Sequence, residues 1–209
     1  TYTASIYLGE ATASVKYTID KAALTVTPTG GQSKSYGTTP DPVLAYTSTG
    51  TVTGETAAFD GALSRAEGED VGQYDITLGT LEMMNHDSSG FKASNYTLKM
   101  VSPAVKFEII KGTYGGSAPT KTVNILKNYA GAQTGTLTAT DFFPANQLPD
   151  GAKITGVTQG SGTLMSTVGL TDGKFSYVSK DNLADAADEA YTVTIATTNY
   201  TNITGTLTF

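Results

Sequence analysis

Short runs in which apolar and hydroxyl-bearing side chains alternate, cut off by Gly, Pro, Asn and Asp, recur along this chain and limit it to strand-built folds. Ser5-Ile6-Tyr7-Leu8 and Ser14-Val15-Lys16-Tyr17-Thr18-Ile19 flank Gly9-Glu10-Ala11 and read as a hairpin. Leu24-Thr25-Val26-Thr27 stops at Pro28. Further runs follow at Leu44–Tyr46, Gln73–Thr77, Asn95–Lys99 and Val105–Ile110, with turn-dense Tyr36–Pro42 between them. A second series starts after the Gly-rich stretch Lys111–Pro119: Thr122–Leu126, Thr134–Ala139, Lys153–Val157, Phe175–Val178, Tyr191–Ile195 and Asn202–Phe209. A side-chain period of two places successive residues on opposite faces, so each run offers one face to a core and one to water. Strands this short, spaced by turn signals, predict β-sandwiches. Only Asp181–Asp188, Ala-rich and acidic, leans to helix, and one turn is expected there.

The 209 residues exceed one average domain. The expected fold is all-β, with immunoglobulin-like β-sandwich domains in tandem. Residues 1–19 are too few for a stable sheet and are expected to be the tail hairpin of a preceding module or an edge hairpin. Residues 20–111 form one sandwich and 112–209 a second. The chain opens mid-pattern without an initiator Met, so an export signal and wall anchor are expected outside it.

Composition removes several functions. There is no Cys, which excludes disulfides, thiolate catalysis and cysteine-ligated metals. A net charge of −6 leaves no basic face for nucleic acid. No apolar run reaches the roughly 18 residues a membrane helix needs. With one histidine, His86, a triad through Ser88 and Asp87 would require sequence neighbours to converge, which local geometry disfavours. The only metal open to oxygen ligands alone is Ca²⁺, with Asp181, Asp185 and Asp188 as weak candidates; a solvated acidic face is preferred. Glu67, Glu69 and Asp70 are likewise read as solvated. Trp is absent, so a sugar platform would have to use Tyr, and Tyr17, Tyr46, Tyr74 and Tyr96 sit in strands where packing is the ordinary use.

An internal echo, Asn95-Tyr96-Thr97 and Asn199-Tyr200-Thr201, places a Tyr after a polar turn near the end of each module. Such a Tyr can bond back to the backbone as a corner.

Residues 20–111 resemble bacterial MBG-type surface repeats, through Leu24-Thr25-Val26, Tyr36-Gly37, Asp41–Tyr46, Leu63-Ser64-Arg65, Gly68, Val71-Gly72-Gln73-Tyr74-Asp75-Ile76 and Asn95-Tyr96. Residues 113–209 resemble a generic surface repeat of gut Firmicutes. The resemblance implies a non-enzymatic, monomeric stalk segment of an adhesin-like protein on the bacterial surface, associated with the cell wall, with no cofactor and with neighbouring domains as partners. Two alternatives stay open: an adhesin module for host glycan or protein, and an accessory domain of a secreted glycan-degrading enzyme. The segment Glu82–Phe91 departs from the repeat pattern, which makes Met83, Met84, His86 and Phe91 the candidate binding loop. Surface proteins of this kind also carry Lys-based isopeptide bonds; Lys16, Lys21, Lys106, Lys121 and Lys153 lie in or beside strands, where an ordinary amphipathic Lys is the preferred reading.

Overall fold

A computed structural model describes residues 2–8, 11–184 and 187–209. The described residues are nearly all β and contain no α-helix, only three short 3-10 turns. The strands are β1 (Tyr2–Leu8), β2 (Ala11–Tyr17), β3 (Ala22–Pro28), β4 (Ser33–Ser35), β5 (Tyr46–Thr49), β6 (Ala58–Asp60), β7 (Ser64–Arg65), β8 (Gly72–Thr77), β9 (Glu82–Met84), β10 (Tyr96–Met100), β11 (Lys106–Ile110), β12 (Thr120–Thr122), β13 (Thr134–Leu137), β14 (Lys153–Ser161), β15 (Met165–Thr171), β16 (Lys174–Ser179), β17 (Ala190–Ala196) and β18 (Ile203–Thr208).

The chain divides into two compact units that are not contiguous in sequence. The first comprises Thr1–Ser33, Pro40–Gly68 and Gln73–Glu108; the second comprises Lys34–Thr39, Glu69–Gly72 and Ile109–Phe209.

In the first unit, β3 is central, with β10 parallel on one side and β5 antiparallel on the other. Its alternation does the work: Leu24 and Val26 are fully buried while Thr25 and Thr27 face outward. Leu24, Phe91 and Tyr96 pack together, with Phe59, Met83 and Leu98 closing round them. Phe107 on β11 is also fully buried. β1 and β2 form a two-stranded hairpin in full antiparallel register from Tyr2↔Tyr17 to Leu8↔Ala11.

The second unit has two sheets, β12-β18-β17-β14 and β13-β16-β15. Tyr191, Val193 and Ile195 of β17 share one core with Phe175 of β16, Leu137 of β13 and Phe209. The β15–β16 hairpin turns at Asp172-Gly173, both at positive φ (50° and 76°), the geometry that a tight two-residue turn demands of an Asp-Gly pair. As in the first unit, an early strand is parallel to a late one: β12 pairs with β18 from Thr120↔Thr206 to Thr122↔Thr208.

Three local expectations are corrected. The strand expected at Thr122–Leu126 lies earlier, at β12, because its ladder bonds are set by Pro119, whose carbonyl accepts from Thr206 N–H at 2.9 Å, and by Val123 N–H bonding Thr208 O at 2.9 Å. The strand expected at Leu44–Tyr46 begins only at Tyr46. No helical turn forms at residues 181–184 or 187–188; Asp181 instead accepts the Gly131 N–H at 2.6 Å, and Asp or Ala propensity over so short a stretch is easily overridden by such a bond.

Candidate functional site

Several of the residues that carry the repeat pattern in the first unit pack against one another. Arg65 leaves β7 with only 7% of its side chain exposed. Its Nε donates to Asp41 Oδ2 at 2.6 Å, and its Nη1 donates to the carbonyls of Ala66, at 3.1 Å, and Gly68. The guanidinium stands 5.1 Å from the Tyr74 ring centroid and 5.6 Å from that of Phe107. Gly68 has φ 136° and lies against Tyr74, where an added Cβ would come within 2.3 Å of the ring. Thus Asp41, Arg65, Gly68 and Tyr74 make one lattice in which a planar cation beside two aromatic rings ties the Asp41 loop and the Ala66–Gly68 turn to β7 and β8.

The Asn-Tyr echo has two outcomes. Tyr96 is buried; its hydroxyl accepts from Val52 N–H at 2.8 Å and donates to Glu55 Oε2 at 2.6 Å. Burial, reinforced by the bond to the Glu55 carboxylate, raises its pKa above the ordinary phenol value. Tyr200 is half-buried and serves through its ring, edge-on to Tyr36 and Tyr114. Its neighbour Asn199 is buried, donating to Asp70 Oδ1 at 2.7 Å and accepting from Val71 N–H at 2.9 Å. Glu69, for its part, pairs with the buried Lys34 at 2.6 Å. Of the acidic run expected to be solvated, Glu69 and Asp70 are therefore engaged; the partners that engage them, Lys34 and Asn199, lie far away in sequence and carry no local signal.

The Met83–Phe91 segment is bound into its own unit. Phe91 is 1% exposed and stacks on Tyr96 with centroids 4.8 Å apart. Met83 is half-buried against the same cluster, whereas Met84 is exposed. His86 Nδ1 lies 3.1 Å from Thr56 O, and its Nε2 lies 3.1 Å from Ser88 Oγ. A 3-10 turn at Asp87–Ser89 brings Ser88 and His86 together, while the other ring nitrogen faces the Thr56 carbonyl and not Asp87. The group behind the imidazole is a neutral main-chain carbonyl, which cannot stabilise an imidazolium as a carboxylate does. Of the Ca²⁺ candidates, Asp181 caps the Gly131 amide, Asp188 is exposed, and Asp185 lies outside the described residues. Among the described residues no cluster of three or more His, Asp or Glu could hold a metal. Lys106 makes a half-exposed ion pair with Asp75 at 2.6 Å.

Glu189 adjoins the acidic stretch that the sequence reads as a solvated face, and nothing local marks it for burial. It is fully buried and accepts from Gln159 Nε2 at 2.6 Å, Met165 N–H at 2.8 Å and the Tyr191 hydroxyl. Burial and this bond push the Tyr191 pKa up. Three donors converging on one carboxyl group satisfy its oxygens inside the core, as buried polar groups require.

The second unit also carries two open hollows that share Tyr114 and Gln147. One, of about 430 Å³, runs along Ser117–Thr120 and Asp141–Pro144. The other, of about 260 Å³, lies among Tyr36, Tyr200 and Asn146–Asp150. The loop between them is held by turns from Gln147 N–H to Pro144 O and from Ala152 N–H to Pro149 O, and Asn146 adopts the left-handed region at φ 64°.

No helix among the described residues is long and apolar enough to cross a membrane. No curated protein matches the chain. Among solved structures, the endo-fucoidan hydrolase MfFcnA9 from glycoside hydrolase family 107 is similar over 73% of this chain and 27% of its own length, at 15% identity and a TM-score of 0.27. That likeness is too slight to carry fold or activity across. Residues 24–105 match the family model described as MBG domain (YGX type), so this chain contains an MBG-type repeat.

Proposed function

We propose that the chain is a load-bearing spacer segment of a bacterial surface protein, non-enzymatic and monomeric, standing outside the cell between neighbouring domains of the same polypeptide. The observation that carries this reading is the parallel pairing of early with late strands, β3 with β10 and β12 with β18. In a parallel pair, tension between the start of one strand and the end of the other acts along both strands. It loads all the ladder bonds together, whereas an antiparallel hairpin pulled at its open end gives them up one at a time. The lattice around Arg65 supports the same role, since the repeat's polar residues hold loops in place.

Stretching the chain between its ends in a force spectrometer tests the proposal. Val123→Pro removes the N–H that bonds Thr208 O, one end of the β12–β18 ladder. The loss, about 1–3 kcal/mol, is expected to lower the unfolding force of the second unit and leave the first unit's force unchanged. An unaltered force in the second unit would refute the load-bearing role.

A further inference from the structure

We propose that the second unit binds a short stretch of a neutral polysaccharide across the two hollows that share Tyr114 and Gln147. The larger hollow, about 430 Å³, lies in the range that small-ligand sites occupy, and the smaller, about 260 Å³, extends the surface beyond the shared Tyr114 and Gln147. This surface is built before a ligand arrives. Tyr114 is edge-on to Phe143, with centroids 5.9 Å apart at 89°, and to Tyr200, 5.5 Å apart at 82°; Tyr200 is edge-on to Tyr36, 5.2 Å apart at 87°. Rings locked in this way lose little conformational freedom on binding.

The polar groups are anchored as well. Asp141 Oδ2 accepts the Thr138 N–H at 2.7 Å, which fixes the carboxylate at the edge of the larger hollow. The Asp150 carbonyl accepts Thr198 N–H at 2.9 Å, which fixes the backbone beside the smaller one. Gln147, between the hollows, is exposed and offers a carboxamide donor and acceptor to both.

Aromatic rings in a lining that also holds a carboxylate and a carboxamide suit a sugar, whose C–H faces lie on rings and whose vicinal hydroxyls both donate and accept. The sign of charge narrows the class. Among the described residues lining either hollow there is no Lys or Arg, and two are aspartates. Sulfated and uronic-acid glycans would meet repulsion with no cation in compensation, so the ligand is an uncharged glycan.

Isothermal titration calorimetry of the full chain provides the test, with hexasaccharides of neutral glucans, xylans and mannans, a sulfated glycan and an acidic peptide as probes. We expect saturable binding of at least one neutral hexasaccharide and none of the anionic probes. Gln147→Ala, at an exposed position where the fold is indifferent, is expected to weaken binding at least about tenfold, the effect of losing one or two well-placed hydrogen bonds. Tyr114→Ala is expected to abolish binding, with circular dichroism checking that the strands persist. Heat from no neutral probe, binding only of an anionic probe or peptide, or affinity untouched by Gln147→Ala would overturn the proposal. Each of these outcomes leaves the force measurement on β12–β18 standing or falling by itself.

Discussion

Two hairpins in this chain begin alike and end differently. Tyr2-Thr3-Ala4-Ser5-Ile6 opens β1, and Tyr191-Thr192-Val193-Thr194-Ile195 makes up most of β17. Both of these five-residue runs alternate, and both strands pair antiparallel with the next strand, β2 or β18. In β17 the apolar face is core: Tyr191 is 3% exposed, and Val193 and Ile195 are fully buried. In β1 the equivalent face is open: Tyr2 is 56% exposed and Ile6 74%. A further pair repeats the contrast. Phe107 and Ile109 of β11 are fully buried, whereas Tyr17 and Ile19, in the same Val-Lys-aromatic-x-Ile spacing, are exposed. Alternation therefore makes an amphipathic hairpin, and only a second layer makes it a core. In the second unit that layer is the sheet β13-β16-β15, which places Phe175 5.8 Å from the Tyr191 ring.

The sharpest way to break this contrast is a matched truncation. Ile195→Ala is expected to cost about 2–5 kcal/mol, the cost of emptying a packed site. Ile6→Ala is expected to stay within about 0.5 kcal/mol, as for a surface change. Urea melts of both variants give the comparison; a cost at Ile6 equal to that at Ile195 would mean that the leading hairpin is covered in solution.

The next effect concerns Glu189, the buried carboxylate two residues before Tyr191. Glu189→Ala leaves Gln159, Met165 N–H and the Tyr191 hydroxyl without their acceptor inside the core. A loss of about 2–3 kcal/mol is expected, measurable as a lower urea midpoint. A midpoint within experimental error of the parent's would show that water replaces the carboxylate.

The smallest effect is pH-dependent. Tyr96 and Tyr191 have folded-state pKa values raised above the ordinary phenol value, so the folded chain holds their protons more tightly than the unfolded chain does. Their contribution is complete below about pH 10 and is lost as pH rises above it. Tyr191→Phe is expected to flatten the alkaline loss of stability, seen in denaturation midpoints followed between about pH 9 and 11. An alkaline slope identical to the parent's would assign that loss elsewhere.

Much of the strand content was legible because period-two alternation is local. Gln73–Thr77, Phe175–Val178 and Tyr191–Ile195 fall within β8, β16 and β17. β15, Met165–Thr171, was not legible, since Ser166, Thr167 and Gly169 dilute its apolar pattern and its identity as a strand rests on pairing with β16. Polar burial was the least legible. Glu189 and Asn199 sit in stretches that look solvated, and their satisfaction depends on Gln159, Met165 and Asp70, which local sequence does not bring near. Phe91, singled out as part of a candidate binding loop, is core, its ring stacked on Tyr96.

Sequence alone determined that this chain would make short strands cut off by turn residues, and which face of strands such as β3, β11 and β17 would be apolar, because those properties follow from backbone geometry within a few residues. Tertiary structure decided which of those faces became core, which carboxylates became buried acceptors, and that Tyr36, Tyr114 and Tyr200 would meet round one hollow. Burial and convergence depend on what is laid against a strand, and in a sandwich that partner is supplied by residues distant along the chain.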